Sequence, residues 1–398
     1  RLQQLANLER QKILDELAEL KKLIKELESL LASKKKVFTV IKNELQEVKK
    51  KLATERRTQV IKHAVGSFSQ EDLIPNEPTI ITVTNDGYIK RLSPDVFKSQ
   101  GRGGKGVAGL ATRENDGVDH FVSTNTHADL LFFTSRGRVF VLKGYEVPQG
   151  SRTSKGQAVV NFLQLDPQEN ISAVLPSEDL QKFKSLVMVT NNGFVKKVIV
   201  EDFKSVRRSG LIAIKLKLND ELKWVKASKG KDEIVIITKN AQAIRFKEAA
   251  VRAMGRAASG VRAIKLKKGD SVLAMDIVYN EKLKQDPQLF VLSEQGFGKR
   301  TMINQYKVQG RGGSGIKTAT ISSKNGALVA THLVYKDDLS KDVIIISTKG
   351  QVIRLPIKSI STLGRATQGV RLMRFKEVSD TVASAVIVEA VAKTEKSL

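Results

Sequence analysis

The segment Gln100-Gly101-Arg102-Gly103-Gly104-Lys105-Gly106 carries the densest chemistry in the chain. Its glycines let backbone amides approach an anion closely, and Arg102 and Lys105 add positive charge beside them. Phosphate is the ligand such a loop suits. Gly101, Gly103 and Gly106 also fit the G-x-G-x-x-G pattern of dinucleotide loops. That pattern needs a strand before it and a helix N-terminus after it. The next residues here, Val107 to Thr112, are apolar, contain Gly and are not amphipathic. A cousin of the segment recurs at Gln309 to Gly315, with weaker versions elsewhere, and a cofactor loop has no reason to recur. Two readings stay open: a structural loop between repeated units, or a basic loop that lays its amides and cations against phosphates.

Further cations keep step with the repeats. Arg136 and Arg138 flank one turn glycine, while Lys196 and Lys197 follow another, as do Lys299 and Arg300. Arg152 and Lys155, Arg207 and Arg208, Arg252 and Arg256, Arg311, and Arg365 each precede a second glycine. Any one of these alone reads as a solvated surface charge. Recurrence at one phase of each unit predicts a continuous basic belt along one rim. The formal net charge of +26, from 68 Lys and Arg against 42 Asp and Glu, points to a polyanionic partner. Nucleic acid comes first and a membrane surface second, because no apolar run approaches the roughly 18 residues that span a bilayer. Single-strand readers interleave aromatics with cations. Here aromatics are sparse, with Trp224 as the one Trp and five Tyr, which favours duplex backbone binding without sequence readout.

Other chemistries find little support. His63, His120, His127 and His332 show no metal-ligand spacing. No Ser-His-Asp or paired-carboxylate constellation stands out. The absence of Cys excludes disulfides and thiolate metal sites, and it fits an intracellular protein. No secretory signal is visible, and a start at Arg1 instead of Met reads as a piece of a longer subunit.

Two kinds of element must position these residues. Leu17, Leu20, Ile24, Leu27 and Leu31 follow 3-4-3-4 spacing, with Glu16, Glu19, Lys22 and Glu26 on the flanks. That predicts an amphipathic helix. Ser33 is the expected cap of a second helix, striped by Phe38, Ile41, Leu45, Val48 and Leu52. Such helices need an antiparallel neighbour or another chain to cover the stripe. Gly66, Ser67, Pro75 and Pro78 then interrupt any periodicity.

From Thr79 onward six stretches share one pattern: an apolar β-rich run, a turn, then a run ending in cations. They are Thr79 to Leu92, Leu130 to Lys143, Leu186 to Val200, Ile234 to Lys247, Leu289 to Ile303 and Val343 to Ile357. Their turns hold Gly87, Gly137, Gly193, Ala241, Gly296 and Gly350; five of the six are Gly, as a tight hairpin with positive φ requires. A basic loop and a second glycine follow 19 residues later in each, or 17 in the third: Gly106, Gly156, Gly210, Gly260, Gly315 and Gly369. Units 48 to 56 residues apart, with about four short strands each, are the signature of a propeller. In the second unit the strands are expected at Phe121–Thr124, Leu130–Thr134, Arg138–Leu142 and Gln157–Leu163. The fold class is therefore mainly β, a six-bladed propeller-like domain behind a helical coiled-coil segment.

The chain resembles the DNA gyrase A-subunit family over nearly its whole length. The resemblance rests on Arg1-Leu2-Gln3-Gln4-Leu5, Glu55-Arg56-Arg57-Thr58, Asn125-Thr126-His127, Ser135-Arg136-Gly137-Arg138-Val139, Phe246-Lys247-Glu248 and Val251-Arg252-Ala253-Met254-Gly255. Gln100 to Gly106 resembles the family's box, Q-[RK]-R-G-G-[RK]-G, and departs from it at Gly101, where the family has a basic residue. The resemblance implies a coiled-coil end of the breakage-reunion domain at 1–57 and a linker at 58–77. It implies a six-bladed β-pinwheel at 78–390 and a tail at 391–398. It also implies a right-handed duplex wrap anchored by the box, leading to ATP-driven negative supercoiling. The alternative is a topoisomerase IV A subunit, whose C-terminal domain binds DNA for decatenation or relaxation and whose box is usually degraded or absent. The implied partners are double-stranded DNA, a second A subunit in an A2B2 assembly, and the gyrase B subunit, with no membrane. ATP and Mg would belong to the B subunit, so no cofactor or metal is expected in this fragment. The family's cleavage tyrosine follows an arginine. None of Tyr88, Tyr145, Tyr279, Tyr306 and Tyr335 does, so the fragment alone is expected to be non-catalytic. The implied location is cytoplasmic, at the nucleoid. The end Lys393-Thr394-Glu395-Lys396-Ser397-Leu398 lacks the acidic tail common in the family, so autoinhibition by such a tail is not expected.

Overall fold

The computed structural model describes residues 2–54, 58, 70–94, 118–151, 154–349, 351–377 and 379–388. It divides into two units, residues 1–68 and 69–398. In the first unit, helix α1 runs Leu2–Leu31 and helix α2 runs Lys34–Leu52. Ser33 stands at the N-cap of α2 with extended backbone, but its hydroxyl makes no capping bond. Its carbonyl instead accepts from the amides of Lys36 and Val37 at 2.9 and 3.1 Å. Both predicted stripes are present and exposed, from Leu17 and Ile24 on α1 to Phe38 and Leu52 on α2.

The second unit is mainly β, six antiparallel sheets in a propeller-like succession. Each sheet, or blade, starts with a hairpin. The hairpins are Pro78–Thr84 with Tyr88–Leu92, Asp129–Thr134 with Arg138–Lys143, and Ser185–Thr190 with Phe194–Ile199. They continue as Glu233–Thr238 with Gln242–Lys247, Gln288–Ser293 with Phe297–Met302, and Asp342–Ser347 with Val352–Pro356. A third strand then pairs with the first strand of its own hairpin: Val118–Asn125, Ile171–Pro176, Leu222–Ser228, Val272–Val278, Leu328–Val334 and Val382–Val388. These third strands are innermost, and those of blades 1 to 5 line a cavity of about 1050 Å³ with His120, Ser172, Trp224, Asp276 and His332.

The fourth strand of each of the first five blades comes from the next unit. Gln157–Ala158, Leu211–Ile212, Val261–Arg262, Ile316–Lys317 and Val370–Arg371 pair with the second hairpin strand of blades 1 to 5. The expected second blade is therefore corrected at both ends. Val118–Asn125 pairs with Pro78–Thr84, and Gln157–Ala158 pairs with Tyr88–Leu92, both in blade 1. Hairpins are local and visible in sequence; the partners of the third and fourth strands depend on how distant segments pack. Blade 6 has three described strands.

Side-chain alternation gives each central strand two apolar faces. In blade 2, Leu130 and Phe132 pack toward Ile81 and Ile89 of blade 1, while Leu131 and Phe133 pack toward Leu186 and Met188 of blade 3. Like interfaces join blades 3 and 4, 4 and 5, and 5 and 6. Each fully buried Val, Leu, Ile or Phe contributes roughly 1.5–3 kcal/mol of transfer free energy. Polar links join the inner strands as well. Ser172 Oγ donates to the Leu222 carbonyl at 2.6 Å, and Lys226 Nζ to Asp276 Oδ1 at 2.6 Å. The His332 ring stacks on Phe290, centroids 6.4 Å apart, and its Nε2–H donates to the Ala385 carbonyl at 2.8 Å.

Backbone conformation sets the docking of the outer strands. Gly260 has φ +79, and a Cβ there would meet the Val195 carbonyl at 2.6 Å. Gly260→Ala combines a left-handed penalty of about 1 kcal/mol with overpacking of about 1–3 kcal/mol. Urea unfolding should show the summed loss, while Gly255→Ala, with nothing within 4 Å of its Cβ, stays near neutral. Burial lowers the His332 pKa below its usual range. The unfolded chain then binds a proton at about pH 6.5 that the folded chain does not, so stability falls as pH drops through and below 6.5. A His332→Gln chain should lack that part of the acid slope in chemical denaturation between pH 7 and 5.

Candidate nucleic-acid interface

The two-residue strands form the outer edge of blades 1 to 5, and the basic loops precede them. Each loop runs beside the second hairpin strand of the blade it docks on. Arg91 N donates to Pro148 O at 2.8 Å and Gly150 N to Arg91 O at 2.9 Å. Met254 N to Lys197 O, Gln309 N to Arg245 O and Leu363 N to Arg300 O repeat the arrangement at 2.7–2.8 Å. Successive loops also bond to one another: Lys215 N to Ala258 O at 3.1 Å, Lys265 N to Gly313 O at 2.8 Å, and Thr320 N to Thr367 O at 3.3 Å. The result is a belt of backbone along the outer edge.

Several predicted cations stand on that belt. Arg207 and Arg252 are exposed, and Arg256 is half-buried. Arg208 is 74% exposed although it pairs with Glu146. Lys155 Nζ lies 3.7 Å from the Tyr88 ring centroid. Arg311 is exposed, with Nε donating to Ala250 O at 3.0 Å and Nη1 to Arg262 O at 3.3 Å. Arg365 Nη1 donates to Lys317 O at 2.7 Å. These bonds hold the guanidinium stems to the belt and leave other N–H donors for an anion. Arg136 is exposed on its hairpin turn and donates to Pro167 O at 3.1 Å. Arg152 and Gln100, Gly101, Arg102, Gly103, Gly104, Lys105 and Gly106 lie outside the described residues.

Five predicted rim residues are elsewhere. Lys196, Lys299 and Arg300 are buried, and the Lys197 side chain is only 12% exposed. They sit on second hairpin strands, which the outer strand and loop of the next unit cover. Lys197 pairs with the fully buried Glu248 at 3.3 Å. Arg300 Nε and Nη2 donate to Ile360 O at 2.9 and 2.7 Å. Burial pulls the Lys196 and Lys299 ammonium groups down to about 8. Arg138 is committed to Glu169, with Asp166 at 3.3 Å and Gln164 O at 3.1 Å. Burial of Glu169 opposes its ionisation, but bonds from Arg138, Thr134 and the Asp166 amide outweigh this and hold the carboxyl below its usual range.

A family model described as DNA gyrase C-terminal domain, beta-propeller matches residues 78–125, 128–178, 184–229, 232–278, 287–334 and 341–389. The chain belongs to the DNA gyrase C-terminal domain, beta-propeller family. Each matched segment of the family spans one hairpin and its inner strand. The chain is 41% identical over 375 residues to the DNA gyrase A subunit of Staphylococcus epidermidis, covering 94% of this chain and 41% of that protein. The same identity and length hold for the DNA gyrase A subunit of Staphylococcus aureus strain COL, covering 94% and 42%. The chain thus spans about two-fifths of the length of these curated relatives. Among solved structures, it resembles the C-terminal domain of DNA topoisomerase IV at 25% identity and TM-score 0.66, covering 81% of this chain and 97% of that one. It resembles the DNA gyrase A C-terminal domain at 25% identity and TM-score 0.61, covering 78% and 99%.

Within this family fold the outer edge carries cations that sequence reasoning missed. Arg262, Lys317 and Arg371 are exposed on the outer strands of blades 3, 4 and 5, each two residues past its glycine. Lys215, Lys265 and Arg374 are exposed five residues past theirs. The shared offset was a readable signal. Among the described residues, no group of three His, Asp or Glu side chains could hold a metal.

Arginines paired to a buried carboxylate and arginines free on the rim should separate in experiment. Arg138→Ala strands the Glu169 carboxylate and should cost about 3 kcal/mol in urea unfolding, with the salt dependence of duplex binding unchanged. Arg252→Ala should change stability by less than about 0.5 kcal/mol and flatten the log K against log salt slope by about 0.9.

Proposed function

We propose that this chain wraps double-stranded DNA along the outer edge of its blades, as the C-terminal part of a gyrase A subunit. The observation that carries the reading is the row of exposed cations at constant offset on successive outer strands, Arg262, Lys317 and Arg371. Phosphates recur along a duplex, and a row of cations at blade spacing can follow them. Contacts of this kind position DNA without reading bases. In this proposal Gln100 to Gly106 anchors the wrap, and the wrapped segment is presented for ATP-dependent strand passage, giving negative supercoils. The B subunit supplies ATP and Mg, and two A and two B subunits assemble. The fragment itself performs no covalent step. Helices α1 and α2 pair through their exposed stripes with upstream helices of the full subunit. The site of action is the cytoplasm, at the nucleoid. No helix among the described residues is long and apolar enough to cross a membrane.

The similarity to a topoisomerase IV C-terminal domain favours a second reading, DNA binding for decatenation or relaxation. Supercoiling of relaxed plasmid by the reconstituted enzyme with ATP separates the two. For the wrap itself, neutralising about ten phosphates gives a slope of log K on log salt near −9. A slope shallower than about −3 argues against the wrap. Gln100→Ala, Arg102→Ala and Lys105→Ala together should weaken linear duplex binding only modestly. They should abolish the linking-number shift left after nicking and religating a plasmid with the chain bound; an unchanged shift would remove the box from the mechanism.

A further inference from the structure

Three residues past the turn, the second hairpin strand of each of blades 1 to 5 meets the loop that docks from the next unit. The occupants alternate from blade to blade: Lys90, Phe140, Lys196, Ile244 and Lys299. The docking loop brings glycine against this position in lysine and apolar blades alike: an added Cβ on Gly156 would lie 3.2 Å from Lys90 Cβ, and one on Gly260 would lie 3.2 Å from Lys196 Cβ. A Cβ on Gly210 would lie 2.5 Å from the Phe140 ring, and one on Gly313 would lie 3.8 Å from Ile244 Cδ1.

Where the residue is lysine, loop carbonyls converge on a buried ammonium. Lys90 is 3% exposed and donates to Ser154 O at 2.6 Å and Ser151 O at 3.3 Å. Lys196 is fully buried and donates to Ala213 O at 2.8 Å and to Arg256 O, joining the belt segments of units 3 and 4. Lys299 is fully buried and donates to Gly364 O and Arg365 O at 2.7 Å, and to Thr367 O and Oγ1 at 3.0 and 3.1 Å. A buried ammonium is costly unless its protons are all satisfied. Lysine offers three rotatable donors at a point charge, and charge-assisted bonds to carbonyls are strong ones. The loops so gripped are those carrying Lys155, Arg256 and Arg365.

We propose that Lys90, Lys196 and Lys299 are positioning residues for duplex DNA: each buried ammonium fixes the shape of a rim loop whose cations meet the phosphates. This rests on the outer edge being the DNA interface. These lysines never touch DNA. They lower the entropy a loop loses on binding, so the held loops bind as preformed contacts.

The test uses the full chain with Lys299→Met. Hydrogen exchange is read at residues 362–369, and affinity for linear duplex is read across salt. Because the chain has no Cys, Lys299→Cys can be aminoethylated at one site in denaturant and refolded, restoring an ammonium of lysine length at this buried position. We expect amides of residues 364–369 to exchange about tenfold faster in Lys299→Met, equivalent to about 1.4 kcal/mol of lost local protection. Affinity at fixed salt should fall about threefold to tenfold, as expected for ordering one loop on binding. Aminoethylation should reverse both changes. Unchanged loop exchange overturns the proposal. So does faster exchange with unchanged affinity, which would make the lysine purely structural. So does a slope flattened by about 0.9 with normal exchange, the mark of a direct phosphate ligand. Lys196→Met, read at residues 256–260, gives the same decision in another blade if Lys299→Met fails to fold. Failure of the wrapping reading shows first in the unsubstituted chain, as duplex binding without salt dependence, and it overturns the positioning role with it.

Discussion

In each of the first five blades, the free edge of the hairpin is covered by two residues of the following unit. An uncovered edge would present a row of unpaired amides and carbonyls. Covering it from the next unit ties neighbours together, and it forces the chain to travel along the outer edge before returning to the centre. That traverse creates the belt of loops. Its path is narrow, because the glycine at its end lies within van der Waals distance of the strand it pairs with; at Gly315 an added Cβ would sit 2.8 Å from the Ala243 carbonyl. The position of the basic loops is therefore a by-product of sheet completion.

The same arrangement sorts the cations into two populations. Several of those on the second hairpin strand, Lys90, Lys196, Arg245, Lys299 and Arg300 among them, bond to carbonyls of the incoming loop. Lys299 gathers carbonyls of the covering loop, and Arg245 Nη1 donates to Ile303 O and Tyr306 O at 2.7 and 3.1 Å. Those on the loop and the outer strand stay in solvent, where they can meet a polyanion. A formal charge of +26 overstates what a duplex would meet, because part of it is internal and already bonded. What remains exposed is arranged by the period of the blades.

The inner edge works differently. Its strands are joined by single side chains reaching across each gap, such as Ser172 to Leu222, Lys226 to Asp276 and His332 to Ala385. Apolar packing between faces supplies most of the cohesion, and these bonds set the register of one blade on the next. Helices α1 and α2 lack any comparable cover among the described residues, and their leucine stripes stay open to solvent.

Much of this was legible before any coordinates. The turn glycines and the second glycines at a near-constant offset marked six units, because a hairpin is a local structure with local residue requirements. The helical stripes were legible for the same reason, as was the family, through short phrases around Arg136–Val139 and Val251–Gly255. What the sequence could not supply was the exchange of the outer strand, which joins Ile89 to Gln157 across a gap of 68 positions. No local preference encodes such a pairing; it follows from the packing of whole sheets. The fate of individual cations follows from that exchange. Lys299 and Arg311 sit in similar basic phrases, yet one is covered by Gly364 to Thr367 and the other lies on the covering loop. Burial is a property of what lies on top of a residue, and only the tertiary structure decided that.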